Sequence, residues 1–534
     1  MKSETFHKTV VVTLLAALAL PIQMAAQERS GETHHANHHR YKLVDIGTFG
    51  GPDSYFTFGV GLNKRGEAAG AAATSTPDPF NPICIFPDCF VGHAFKWYDG
   101  VATDLDAVPG ANNSGVAGLN AHGTVVGVSE NGLVDPVINF PELEAVVWKD
   151  GRTIDLGTFG GTFSQANAIN DRGQVVGFAS NRIPEPISLA AFGCDVDLAV
   201  PTQVRAFLWQ GGAIQDLGTL GGPDSCAVFI NQRGQVAGYS YTSSTPNPET
   251  GIPTIDAFLW EDGRMLDLGT LGGTLAFTGG LNEGGQAVGI STLPGDSTFH
   301  PFLSHRGVLS DLGTLGGNVG AANSLNDSDE VVGQADLPGS KAHHAFRWRQ
   351  GVMTDLGTQD GDPCTEALSI NSRGQIVGGS KDCNTFLHAF LWEEGGPMID
   401  LNSFVPASSD LTLTVATLIN DRGEIAVQGV LPDGDTHAVL LIPCEGDHSD
   451  NEGCEDAKSV TSSRNHSVPA ATAGRPSTMT LSGPRVSMRS GAMLERFRAR
   501  WTERYHIPLP GAPRNETGTE IYVAIGELRA SVCG

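Results

Sequence analysis

Three residue types recur along this chain at spacings that invite a chemical reading. An aspartate closes an Asp-Leu-Gly-like element at Asp45, Asp104, Asp155, Asp216, Asp267, Asp311, Asp355 and Asp400. An asparagine stands at Asn63, Asn120, Asn170, Asn231, Asn282, Asn326, Asn371 and Asn420. A histidine opens a His-Ala-Phe element at His93, His344 and His388. Such residues could supply metal ligands or acid–base groups, but their repetition argues otherwise. A site is singular, whereas a residue present in every copy of a repeat serves every copy's backbone. Asparagine caps a turn, and aspartate accepts from adjacent loop N–H groups. Chemistry is to be sought where the repetition fails.

Carboxylates outside the regular positions stand in Gly51-Pro52-Asp53-Ser54, Gly222-Pro223-Asp224-Ser225 and Asp360-Gly361-Asp362. Asp53, Asp224, Asp360 and Asp362 are the candidate ligand-binding residues. Clustered hard oxygens could hold Ca2+, although ordinary Asp turns use the same residues and the spacing of an EF-hand loop is absent. No Gly-x-Ser-x-Gly elbow, His-Glu-x-x-His, phosphate loop or dinucleotide fingerprint occurs. No linear motif therefore names a reaction, a cofactor or a catalytic residue. Carboxylates gathered from different repeats could still act together. The tract His34-His35-Ala36-Asn37-His38-His39 could bind a transition metal. Nothing nearby fixes a geometry, and a solvated leader accounts for it.

The ends and the cysteines point to export. Lys2 and Lys8, an apolar run over Val10–Leu20, Pro21 and the small pair Ala25-Ala26 read as a secretory signal over residues 1–26. A flexible leader follows over 27–40. The apolar run is short for a membrane span, no cysteine beside it offers a lipid anchor, and no later segment is apolar enough to cross a bilayer. Nine cysteines suit an oxidising compartment. The proposed pairs are Cys84/Cys89, Cys194/Cys226, Cys364/Cys383 and Cys444/Cys454, with Cys533 left over; eight cysteines alone allow about 105 connectivities. The expectation is a secreted, extracellular or periplasmic monomer. Thirty-three Lys+Arg against 59 Asp+Glu give a net charge of −26. That field excludes a generally basic nucleic-acid binder.

The elements that must position these residues are short strands. With 68 Gly and 30 Pro but 40% hydrophobic residues, the chain reads as an all-β protein punctuated by glycine. Successive Asp positions differ by 59, 51, 61, 51, 44, 44 and 45 residues over the span 41–443. Seven of the eight asparagines have Gly three residues on, and Asn326 has Asp329 there. Trp97, Trp148, Trp209, Trp260, Trp348 and Trp392 share one place in the unit. Each unit holds four strand-like runs: a ends at the Asn, b resembles Gln-Val-Val-Gly, c resembles Ala-Phe-Leu-Trp, and d ends Asp-Leu-Gly. The a–b and c–d links are tight, as in a meander the size of a propeller blade. The d–a link can span the roughly 14 Å from an outermost strand to the next innermost one.

Closure follows from the ends of the repeat region. The chain enters with a lone d-type strand, Tyr41–Ile46, and leaves after an a–b–c set. The spacing predicts an eight-bladed β-propeller of four-stranded antiparallel blades, its first strand completing the last blade and so removing exposed edges. The second unit, with Leu105-Asp106 and Val146-Val147-Trp148, departs most from the pattern and is expected to be less regular.

His-Ala-Phe at His93, His344 and His388, with the Asp-Leu-Gly-Thr and Ile-Asn-x-x-Gly elements, resembles the HAF-type extracellular repeat family over about three quarters of the chain. The resemblance implies an exported β-propeller-like protein and carries no settled activity.

Where the units differ, they differ in their b–c loops. Ala71–Gly92 and Asn181–Val204 are long, Glu130–Glu144 and Tyr241–Ile255 intermediate, and the last four short. A meander puts the b–c and d–a loops on one face, together with nearly all of the propeller's cysteines. The leading reading is a non-enzymatic module binding a glycan or protein on that face over blades one to four. A carbohydrate-active enzyme using carboxylates such as Asp53 and Asp224, and a structural surface component, are the alternatives. After the propeller, 444–490 reads as a linker and 491–534 as a short tail. Met493, Leu494, Phe497 and Trp501 there recur at helical spacing among arginines, a basic amphipathic helix that could touch a membrane, a partner or the acidic propeller.

Overall fold

A computed structural model describes residues 40–56, 61–81, 84–86, 88–137, 140–185, 194, 202–248, 252–359 and 361–444. The proposed signal, the histidine tract, Asp360, Cys454, Cys533, the linker and the tail helix lie outside them. Among the described residues no helix is long and apolar enough to cross a membrane.

Among the described residues thirty-two strands form eight four-stranded antiparallel sheets. Blades 1 to 7 run over 50–104, 114–155, 164–216, 225–269, 276–311, 320–355 and 364–400, each with strands in the order a-b-c-d. Blade 8 takes three strands from 412–443 and its fourth from β1 (Tyr41–Asp45), which pairs with the last strand, Thr436–Pro443. The molecule is an eight-bladed β-propeller closed by its first strand. Blade 2 has the full set of strands. The expected irregularity falls instead in blade 7, whose strand d is only Ile399–Asp400 before a 3-10 turn, Leu401–Phe404, capped by Asp400.

Strand a is the innermost, because its terminal asparagines meet around the axis. Each Asn Oδ1 accepts backbone N–H groups within its own turn, as Asn170 does from Arg172 and Gln174 at 3.1 Å. Each Nδ2 then donates to the main-chain oxygen of the next blade's asparagine. The eight bonds are 2.9–3.3 Å long, and the last, from Asn420 to Asn63, closes the circle. The turns keep the predicted left-handed residue three positions on; Asp329, at φ 59°, takes it where glycine is missing.

Packing within six of the blades uses the same cross-strand pair. The Gly of the Val-Val-Gly run faces the Phe of the Ala-Phe element: Gly238 lies opposite Phe258, and Gly289 opposite Phe302. A Cβ on Gly238 would stand 2.0 Å from the Cys226 carbonyl oxygen and 2.7 Å from the Phe258 ring. Glycine here lets strand a and the ring approach together. Phe95, Phe207, Phe258, Phe302, Phe346 and Phe390 are all fully buried.

Candidate functional site

The repeated aspartates serve the backbone. Each accepts from the N–H two residues on at 2.7–2.8 Å, from Gly47 on Asp45 to Asn402 on Asp400. A histidine on strand c pairs with four of them: His93 with Asp104 at 3.0 Å, and His300, His344 and His437 with Asp311, Asp355 and Asp45 at 2.9 Å. In blades 2 and 4 an acid replaces the histidine. Burial, then Asp155, pushes the Glu144 carboxyl up to about 7; burial, then Asp267, does the same to Asp256. The Asp104 bond raises the His93 pKa against burial. For His437 burial acts downward, yet the Asp45 bond and charge outweigh it and the pKa ends raised.

The loop face breaks this regularity. Strand b is ten residues long in blades 1 to 3, over Ala68–Pro77, Val125–Val134 and Val175–Pro184. It is six in blades 4 to 8, as in Val236–Tyr241. The added ends project into solvent and carry Leu133, Val134 and Ile183, with Val137 beyond them 73% exposed. Disulfides join Cys84 to Cys89, Cys194 to Cys226, and Cys364 to Cys383, as proposed. Cys194 and Cys226 are buried, and their bond ties the blade 3 loop to the innermost strand of blade 4, Ser225–Ile230. Cys226 and Cys364 thus lie within strands a, at the ends that meet the loop face expected to carry nearly all of the propeller's cysteines. Cys444 is disulfide-bonded as well.

The predicted carboxylates are spread around the ring. Asp53 Oδ1 accepts from Thr436 N–H at 2.8 Å, and Asp224 Oδ1 accepts from Val204 N–H at 3.1 Å, each clamping strand c of the preceding blade. Asp362 accepts from Ser380 Oγ and meets His388 Nδ1 at 2.7 Å, so that His388 leaves Asp400 to its 3-10 turn. These three belong to blades 1, 4 and 7 and do not converge. Among the described residues no three or more His, Cys, Asp or Glu side chains are arranged to hold a metal ion.

Two polar groups on strand ends and loops went unnoticed in the sequence. Asn113 donates to Asp78 at 3.0 Å and to Glu130 at 2.7 Å, and all three are buried where the blade 1 loop meets blade 2. Asp88 lies beside them. Burial pushes its carboxyl up to about 6, and the charges of Asp53 and Asp78 add to this. The available signal was position: Asp78 precedes the Cys84/Cys89 pair and Asp88 lies within the loop that pair closes. The second group joins blades 6 and 7. Lys381 pairs with Glu366 at 2.8 Å, and Asn323 donates to Glu366 at 3.2 Å. Burial opposes the Glu366 carboxylate, yet Lys381 outweighs it and holds the pKa below the usual range. Burial, then Lys381, pushes the nearby His343 down to about 4.

No protein-family model and no curated protein matches the chain. Among solved structures it is similar to the β-propeller domain of the Trilobed protease from Pyrococcus furiosus, at 8% identity and a TM-score of 0.38, covering 67% of this chain and 99% of that one. Porphyromonas gingivalis dipeptidyl peptidase 4 gives 10% identity and a TM-score of 0.38, over 68% of this chain and 55% of the other. An Aleuria aurantia lectin mutant in complex with Fucα1-6GlcNAc gives 9% and 0.23, over 61% of this chain and 93% of the lectin.

Proposed function

We propose that this chain is a secreted recognition module that binds a protein partner through the loop face of blades 1 to 4. Membership of the HAF-type repeat family is part of this reading. The observation that carries it is the set of lengthened b strands in blades 1 to 3, with exposed aliphatic tips in blades 2 and 3. A preformed surface loses little ordering entropy on binding, and disulfides in the loops reduce that loss further. Aliphatic tips favour a protein over a glycan, because flat aromatic faces with a polar edge suit sugar rings better. The one strongly exposed aromatic among the described residues, Tyr98, lies at a c–d turn on the other face. Three disulfides with both partners described suit an oxidising compartment.

The test compares wild type with the triple variant Leu133→Ser, Val137→Ser, Ile183→Ser, each immobilised and exposed to envelope and secreted proteins of the source organism and to a glycan panel. A protein held by wild type and released by the triple variant, with Tm unchanged, is expected. Glycan binding equal in both forms would overturn the reading. So would polysaccharide hydrolysis abolished by Asp88→Asn, which would favour the enzyme alternative.

A further inference from the structure

On the turn face, seven of the eight ring asparagines use both amide hydrogens. One goes to the next blade. The other goes to the side chain four residues on, at 2.6–2.7 Å: Glu67, Gln174, Gln235, Gln286, Glu330, Gln375 or Glu424. In most blades that side chain also reaches strand c. Gln174 donates to Gln210 and Gln235 to Glu261, both at 3.0 Å, and Glu67 lies 3.9 Å from Lys96.

Blade 2 breaks the pattern. Thr124 occupies the position of the Glu or Gln and is too short to serve either neighbour. Asn120, only 5% exposed, keeps its bond to the Asn170 carbonyl at 3.1 Å, but its second amide hydrogen has no partner among the described residues. Lys149, ending strand c of that blade (Pro141–Lys149), likewise has no hydrogen-bond or ion-pair partner among them. The missing side chain leaves a cleft of 170 Å³ between blades 2 and 3. Asn120, Thr124 and Lys149 form its polar end, and Val147, Ile169 and Trp209 its apolar wall. His122 and Arg172 stand at its rim. The rim carboxylate, Asp171, is engaged by Ala121 N–H at 2.8 Å and by Lys64 at 3.6 Å.

We propose that this cleft binds a small apolar monocarboxylate, its carboxylate taking the place of the absent Glu side chain between Asn120 and Lys149 and its body lying against Trp209 and Ile169. The molecule contains the template: in blade 1, Asn63 donates at 2.7 Å to the Glu67 carboxylate, which Lys96 faces. The volume sets the size, since a cavity of about 150 Å³ takes a benzene ring. Although the chain carries a net charge of −26, screening at physiological salt leaves the nearby cations to dominate at the cleft.

Benzoate is the probe, titrated into the full chain by calorimetry, with benzyl alcohol as the uncharged control. Saturable benzoate binding is expected, weakened by about tenfold or more in Thr124→Glu, in Lys149→Met and for benzyl alcohol, because a charge-assisted bond is lost each time. Thr124→Glu restores the internal acceptor and should also raise Tm without ligand. Should that variant fail to fold, Lys149→Met carries the comparison. No saturable benzoate binding to wild type, or undiminished binding in whichever variants fold, would overturn the proposal.

Discussion

On the turn face, every a–b link carries an asparagine that holds its own turn and reaches the next blade. On the loop face, the b–c link shrinks from 17 residues between Pro184 and Thr202 to four between Lys381 and Phe386. The first region tolerates one change in the acceptor series, at Thr124; the second varies in almost every copy. The contrast separates two kinds of constraint. A turn-face side chain contacts two blades, so a change there is felt on both sides. A loop-face tip contacts solvent, so a change there leaves the framework alone and is open to function.

Removing a ring member is the strongest test of that separation. Asn170→Ala deletes a buried amide and leaves two N–H groups and the Asn231 carbonyl without their partner. A loss of about 3 kcal/mol in denaturant unfolding is expected. Asn120→Ala should cost about 1 kcal/mol less, since its amide makes one bond fewer. Equal costs, or a loss below about 1 kcal/mol for Asn170→Ala, would break the comparison.

The rim of the blades gives an intermediate effect that depends on pH. Glu144 and Asp256 are raised to about 7 in the folded state, above their unfolded values, so the stability they favour is present in acid and lost as pH rises through about 7. His93 and His437 are also raised and act in the same sense, losing their contribution as pH rises through their folded values. His343, pushed down to about 4, acts oppositely, losing stability as pH falls below its unfolded value, and is silent above about 6.5. Unfolding free energy should therefore carry a downward contribution from the two carboxyls as pH rises from about 4.5 to 7, of about 1 kcal/mol after allowing for solvent screening of half-exposed groups, and a further one from the two histidines above about 6.5. The pair Glu144→Gln and Asp256→Asn should flatten that slope. A slope unchanged by both would remove the acid pairs from the account. Smallest of all, Ile183→Ser alone should alter stability by less than about 0.5 kcal/mol, and a larger loss would mean that the tips belong to the framework.

The fold was legible because its determinants repeat. Eight asparagines, eight aspartates and an unpaired first strand fixed blade number and closure without any tertiary information. The role of Asp as a loop acceptor was legible for the same reason. What the asparagine amide does across to the next blade was not, since no periodicity within one unit reports its distance from its neighbour. Asp53 and Asp224 stood out as unusual carboxylates, but the N–H groups they accept lie on the preceding blade, over 380 residues away in sequence for Asp53. Asp78, Asn113 and Glu130 come together only through the fold of a long loop. Thr124 is the instructive omission: its difference from Glu67, Gln174 and the rest is visible once the units are aligned, and its meaning depends on knowing what those side chains touch.

The circle of asparagine bonds has a consequence for how the molecule opens. A linear array of repeats frays from its terminal units, each held on one side only. Here Asn420 donates to Asn63, and all eight units have two neighbours. Local opening of any blade must break two junctions, so the innermost amides should exchange with solvent as one cooperative group, slowly and at similar rates, while those of the outer d strands exchange earlier.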